Sequence, residues 1–279
     1  MRREKNVRTE SENWEECMMG FKYGGFSKVG FRRENNEDFL MVKEFGGRML
    51  LAIIADGAGS EPSRLQPAQL ACRKIVEMLN RVYDDGKNEE LLRNSAEIFL
   101  SEAVMSVNQI LGAFRTANEE MYSGFTCALT CAMFIQESEE DFRLTMVHTG
   151  NTRLYLIRRD AEGNAAIRQL TKDQTEAQLL VDDGKITEEQ YYFHEARGKL
   201  LCPLGSFETP KLDRFSGKIR KEFVFLMTTD GIHYAIRPEP MTSLVLENPN
   251  FDEACVTLCE AAESLESNDD YGVILIQCI

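Results

Sequence analysis

The chain has 279 residues, 43% hydrophobic and 28% charged, with a formal net charge of −14. That length and balance suit a packed globular core and argue against a disordered chain. The negative field repels polyanions, which counts against nucleic acid and anionic membrane surfaces as partners, and it obliges any phosphate-binding site to bring its own cation, a bound metal or a placed arginine. No apolar run reaches the roughly 18 residues needed to span a bilayer. The basic start, Met1 to Asn6, is not followed by the apolar stretch of a signal peptide. The eight cysteines contain no Cys-x-x-Cys pair, and several, such as Cys127 and Cys131, sit in apolar segments. They read as buried reduced thiols rather than zinc ligands. The expectation is a soluble, cytoplasmic protein.

In chain order, residues 1–20 form a polar N-terminal segment. Residues 39–42 and 49–54 are strand-like and joined by Gly46-Gly47, a hairpin pattern. Helical spacing runs from about residue 67 to 83. A longer helix is expected over about 88–122, with Leu91, Leu92, Ile98, Phe99, Val104, Val107, Ile110 and Leu111 on its buried face. Gly124 ends it, and 125–135 reads as a buried strand. Residues 142–147 and 154–157 suggest a hairpin around Gly150-Asn151, with 166–170 beside it. The stretch 171–205 is short of β-branched residues and contains Thr187-Glu188-Glu189-Gln190, a capping-box pattern. It is expected to form one or two short helices of a flap. A strand at 223–227, a helix opened by Asn250, and a closing strand at 273–278 complete the order. Strands and helices do not alternate one for one, so a doubly wound parallel sheet fits poorly. The predicted fold is α+β: a sandwich of two mostly antiparallel sheets flanked by helices, in one domain from 21 to 279.

Four acidic positions share a context. Asn36-Glu37-Asp38 precedes one strand, Asp56-Gly57 ends another, Asp230-Gly231 follows a third, and Asn268-Asp269-Asp270 precedes the last. Carboxylates at strand ends can converge at one edge of a sheet, and hard divalent ions such as Mg²⁺ and Mn²⁺ take oxygen ligands of this kind. A glycine after the aspartate leaves room for a backbone carbonyl to approach an ion. Taken singly, each Asp-Gly is an ordinary turn dipeptide. Their order and spacing carry the signal.

That ordered set, with Arg33 ahead of Asn36-Glu37-Asp38, then Ala55-Asp56-Gly57-Ala58-Gly59-Ser60, Gly124-Phe125-Thr126, Gly150-Asn151-Thr152-Arg153, Leu170-Thr171-Lys172-Asp173, Leu204-Gly205, Thr229-Asp230-Gly231 and Asp269-Asp270-x-Gly272-Val273, resembles the PPM-type (type 2C) metal-dependent Ser/Thr protein phosphatases, and most of all their compact bacterial branch. The resemblance covers roughly residues 20–279. It implies a phosphomonoester hydrolase acting on phosphoserine and phosphothreonine in proteins, by attack of a water or hydroxide bridging two divalent ions, Mn²⁺ or Mg²⁺. It implies that Asp56 bridges the metals and the carbonyl of Gly57 completes one of them. Asp230 and Asp269 would hold the other, Asp38 would act directly or through water with Glu37 nearby, and Arg33 would clamp the substrate phosphate.

Two departures stand out. Asn151 replaces the aspartate that bacterial relatives use for a third, weaker metal, so the third site is expected to be weak or absent. The last block has Asp269-Asp270 where Asp-Asn is common and Gly272 where Ser or Thr is usual, which leaves Asp270 as an alternative ligand. Some members of that family place a histidine just after Asp-Gly where this chain has Ala58, and His148, His194 and His233 carry no catalytic assignment. The expected partner is a phosphoprotein from a Ser/Thr kinase signalling pathway, met by a monomer. A non-catalytic phosphoprotein-binding module keeping the phosphatase fold is the alternative, and a carboxylate nuclease is disfavoured by the charge.

Overall fold

The computed structural model of the chain describes residues 20–59, 65–117, 119–122, 124–159, 162–206 and 209–279. The polar segment 1–20 lies, except for Gly20, outside the described residues, as do Cys17 and Ser60.

Ten strands among the described residues form two five-stranded antiparallel sheets. One has the order β1 (Phe21–Lys28), β10 (Tyr271–Cys278), β9 (Val224–Thr228), β6 (Arg153–Arg159), β7 (Ala165–Gln169). The other has the order β2 (Asp38–Phe45), β3 (Met49–Ala58), β4 (Thr126–Gln136), β5 (Phe142–Thr149), β8 (Asp213–Ile219). Alternation along the central strands decides what each face meets. Leu40 and Val42 of β2, and Leu50, Ala52 and Ile54 of β3, pack between the sheets against Met227, Ile274 and Ile276. Met41, Leu51 and Ile53, one residue out of phase, pack on the opposite face against Ile75, Leu79, Val104 and Leu111. Those four come from helices α1 (Pro67–Tyr83) and α3 (Ala96–Ala117). On the other outer face, Leu226, Val273 and Leu275 meet Met241, Leu258 and Cys259 of helices α8 (Pro238–Glu247) and α9 (Phe251–Ser264). The result is the expected helix–sheet–sheet–helix stacking, each fully buried aliphatic side chain contributing roughly 1.5–3 kcal/mol.

Helix starts follow local chemistry. Proline at the first helical position, where its missing N–H is not needed, opens α1. The Asn250 side chain accepts from the backbone N–H groups of Asp252 and Glu253 and opens α9. In the flap, α5 (Glu176–Asp182) starts on Thr175, and α6 (Glu188–Tyr191) starts on a complete Thr187–Gln190 capping box.

The structure corrects two expectations. The long helix over 88–122 is three pieces: α2 (Glu89–Asn94), α3, and a turn, α4 (Glu119–Tyr122). The buried stripe runs straight through the break at Ser95: Leu92, Ala96, Leu100, Val104, Val107 and Leu111, three or four residues apart, are buried, while Leu91 and Ile98 lie off that stripe and are 50% and 58% exposed. Second, β5 and β6 are not a hairpin. They belong to different sheets, and Gly150–Thr152 is the crossover between them. Gly150 has φ +95°, and a Cβ there would lie 2.4 Å from the Cβ of Ala128, so the chain turns tightly against β4. The crossover delivers Asn151 to the end of the sandwich. No helix among the described residues is long and apolar enough to cross a membrane.

Candidate active site

The carboxylates lie where the inter-sheet core runs out. Asp38 and Asp56 face each other across the β2–β3 ladder. They continue the face that carries Leu40 and Ile54 inward, so both project into the mouth between the sheets. Asp38 is buried, and Asp56 opens partly to the outside. Thr229, two residues past inward-facing Met227, donates its hydroxyl to Asp38 Oδ2 at 2.7 Å and accepts the backbone N–H of Gly272 at 2.8 Å. One threonine thereby joins β2, β9 and β10 at the carboxylate end.

Asp230 begins the short helix α7 (Asp230–His233), directly after β9. Its neighbour Gly231 has no room for a side chain: a Cβ there would lie 2.0 Å from the carbonyl oxygen of Asp270. This contact presses the start of α7 onto the Asp269-Asp270 loop and brings Asp230 beside Asp269. The two adjacent aspartates then part company. Asp270 is buried, and its two oxygens accept the backbone N–H groups of Gly30 and Glu37, each at 2.8 Å. Asp269 is 40% exposed and pairs with Arg33 Nη2 at 2.5 Å, while Arg33 Nη1 reaches Glu37 Oε2 at 3.3 Å. Asp270 is thus committed to holding two loops, whereas Asp269 faces the cleft.

These groups feel one another. Burial first, then the negative charges of Asp230, Asp38, Asp269 and Asp270, hold the Asp56 carboxyl well above its usual range. Burial and the charges of Asp270, Asp230 and Asp269 do the same to Asp38, against the opposing hydrogen bond from Thr229. Asp230 is pushed up to about 7 by burial and by Asp269, opposed by the Asn151 amide and the charge of Arg197. Carboxylates that raise each other in this way form an under-neutralised anionic cluster, which is the electrostatic condition for taking up cations.

The donor set fits hard divalent ions. It is all oxygen, from Asp56, Asp230, Asp269 and Asp38, with the Gly57 carbonyl adjoining. Among the described residues no three His, Cys, Asp or Glu side chains close on a single point. Mg²⁺ keeps several waters and is bound through one or two carboxylates.

Asn151 is 2% exposed. Its Nδ2 donates to Asp230 Oδ2 at 3.0 Å and to the Tyr234 hydroxyl at 3.3 Å, while its Oδ1 is buried without a partner among the described residues. An amide N–H therefore stands against the face of Asp230 that a cation bound by a carboxylate at this position would share. The histidines serve the fold. His148 bonds Thr130 and the Lys172 carbonyl, His233 bonds Thr228, and His194 accepts from the Ala196 N–H.

Comparison with known proteins decides the family. The family model described as Protein phosphatase 2C matches residues 32–266. The chain belongs to the protein phosphatase 2C family. It is 29% identical over 259 residues to the serine/threonine protein phosphatase PstP of Mycobacterium tuberculosis, covering 92% of this chain and 45% of PstP, so it spans about half the length of that relative. It is 22% identical to the serine/threonine phosphatase stp of Listeria monocytogenes, covering 88% of this chain and 91% of that protein. The crystal structure of M. tuberculosis PstP superposes with TM-score 0.74 at 26% identity, covering 93% of this chain and 99% of that one. The PstP catalytic domain in complex with two manganese ions superposes with TM-score 0.69, also at 26% identity.

Within this phosphatase 2C fold, sequence reasoning missed three residues that shape the site. In the sequence Thr229 stands out only as part of the Thr-Asp-Gly motif. Tyr234 and Arg197 were not singled out, yet both line a cleft of about 530 Å³ with Arg32, Arg33, Asp230 and Asp269. The flap approaches α7 through a buried cluster in which Arg153 forms a bidentate pair with Asp173, and Tyr191 donates to Asp173. No spacing rule marks such contacts. A lone aromatic four residues after Asp230 was the available signal.

Proposed function

We propose that the chain is a metal-dependent protein phosphatase that hydrolyses phosphoserine and phosphothreonine in proteins, with residues 21–279 as one catalytic unit and 171–205 as its flap. The observation that carries this reading is the gathering of Asp38, Asp56, Asp230 and Asp269, from four distant segments, at one end of the sandwich beside Arg33. Bound there, two divalent cations would supply an activated water and charge neutralisation for in-line attack on phosphorus. The chain's own residues do the rest. Asp56, with the Gly57 carbonyl, is the proposed shared ligand. Asp230 and Asp269 are proposed for the second ion, and Thr229 fixes the Asp38 carboxylate so that it can act directly or through water. Arg33, already paired with Asp269, exchanges that partner for the phosphoryl oxygens, to which its fork is matched. Asp270 is assigned to loop anchoring rather than ligation. Phosphoprotein substrates from a Ser/Thr kinase pathway, action as a monomer and a cytoplasmic site complete the reading.

The test is hydrolysis of an aryl phosphate and of a phosphothreonine peptide with added Mn²⁺ or Mg²⁺. Activity is expected only with metal, with near-total loss in Asp56→Asn. Turnover that survives excess chelator refutes the proposal. The amide of Asn151 lying against Asp230 favours one competitor, a phosphoprotein-binding module without turnover. Calorimetry that shows phosphopeptide binding in Mn²⁺ with no hydrolysis selects it.

A further inference from the structure

Arg197 is built into its position more firmly than a surface arginine. It is partly buried in the flap, and no carboxylate among the described residues pairs with it. Three contacts hold it instead. Its Nη1 donates to the carbonyl of Tyr192, its guanidinium lies 4.6 Å from the centroid of the Tyr234 ring, and its own carbonyl accepts the Tyr234 hydroxyl at 2.5 Å. Tyr234 therefore grips Arg197 at both ends, backbone and head group. The Asn151 amide, 3.3 Å from that hydroxyl, ties the grip to Asp230.

The neighbouring arginines show what ordinary pairing looks like here. Arg237 pairs with Glu189, Arg153 with Asp173, and Arg33 with Asp269 and Glu37. Arg197 has carbonyl and ring partners that orient its guanidinium, and although the charge of Asp230 reaches it across the cleft, no carboxylate among the described residues bonds it. Its remaining N–H groups stay available to an anion that arrives from solution. The cleft it lines also holds Arg32 and Arg33 and is far larger than one phosphoryl group.

Resting on the phosphatase reading above, we propose that Arg197 recognises a second anionic group on the substrate, a carboxylate or a further phosphate flanking the phosphorylated residue, while Arg33 takes the phosphoryl group to be removed. The enzyme is then selective for phosphosites in acidic or multiply phosphorylated segments. Arg32, exposed on the same wall, adds a weaker charge. Tyr234 is the positioning residue that sets the direction of Arg197.

The experiment compares four phosphothreonine peptides that differ in one flanking residue: neutral, glutamate, phosphoserine or lysine. In wild type with Mn²⁺, kcat/KM for the two anionic peptides should exceed the neutral one on the order of tenfold, the yield of one charge-assisted hydrogen bond. The glutamate and phosphoserine arms show which source of charge is preferred. In Arg197→Ala the ratio should fall to near one, and Arg197→Lys should retain part of it. Arg197→Glu should reverse it toward a lysine-flanked peptide, an outcome that a merely loosened flap cannot produce. A wild-type ratio near one, or a ratio that survives Arg197→Ala, overturns the proposal. Fluorescence anisotropy of the same peptides on the Asp56→Asn protein separates the two readings. Preference in binding without any wild-type turnover refutes the phosphatase proposal and keeps this one, whereas turnover without preference does the opposite.

Discussion

Replacing Asn151 with aspartate changes one atom type in a buried place and adds one charge. In the native arrangement the amide Nδ2 donates to Asp230 Oδ2 at 3.0 Å. Asn151→Asp puts a second carboxylate against a carboxyl already pushed up to about 7 by burial and by Asp269. Two full charges about 4 Å apart repel by about 4 kcal/mol at an effective dielectric near 20. Because Asp230 is already pushed up to about 7, it takes up a proton at pH 7 at little further cost, which limits the penalty to roughly half that figure, about 2 kcal/mol. For a chain of this size each kcal/mol lowers the unfolding temperature by roughly 2–4 °C, so the metal-free variant should melt about 5 °C below wild type at pH 7. Added Mn²⁺ should close most of that gap, because the new carboxylate now faces a cation instead of a bare anion. Asn151→Ala is the control. It loses the donor without adding charge, and its deficit should be smaller and much less sensitive to metal. The assay is differential scanning calorimetry in chelator and in Mn²⁺. An equal deficit for Asn151→Asp in both conditions refutes the electrostatic account.

The two adjacent aspartates should separate cleanly. Asp270→Ala leaves the Gly30 and Glu37 N–H groups unsatisfied and should cost about 2–5 kcal/mol in denaturant unfolding. Asp269→Ala removes an exposed repulsive charge, leaves stability nearly unchanged, and should weaken Mn²⁺ binding at least roughly tenfold by calorimetry. The reverse pattern would make Asp270 the ligand. The pH dependence follows from the raised Asp230: a carboxyl whose folded pKa exceeds its unfolded one stabilises the fold most when protonated. That stability is lost as pH rises from about 4 through about 7. The difference in melting temperature between Mn²⁺ and chelator should therefore widen across this interval, and a gap independent of pH would count against the cluster.

Legibility in the sequence followed the range of the interactions. The outer frame could be read because alternation and capping are local: β2, β3, β4 and β10, α1 and the flap's capping box lie close to their expected positions. Strand β1, with two glycines in its middle, and the exposed, polar edge strand β8 lacked the pattern that marks a strand. The Gly150 turn was misassigned because an apolar strand, a glycine and another apolar strand read alike for a hairpin and for a crossover between sheets. Only the pairing of β5 with β8 and of β6 with β9 distinguishes them. Leu91 and Ile98 do not belong to the buried face because they lie off the stripe of Leu92, Leu100, Val104, Val107 and Leu111, a distinction that apolar character alone does not make. At the candidate site, the aspartates stood out as a set in motif order. Arg197 and Tyr234 did not, because what matters about them is a contact between the flap and α7, some 37 residues apart in the chain.

The shared face of Leu40, Ile54, Asp38 and Asp56 has a consequence for how this protein can fail. The pleat that seals the core also aims the carboxylates, and a slip of one residue between β2 and β3 would turn both sets away together. Misregistered molecules would therefore lose the carboxylate cluster, and with it the proposed activity, in the same event as the core packing. Specific activity per mole of chain becomes a count of correctly zipped molecules, a quality measure for refolded or mutated preparations that bulk helicity cannot supply.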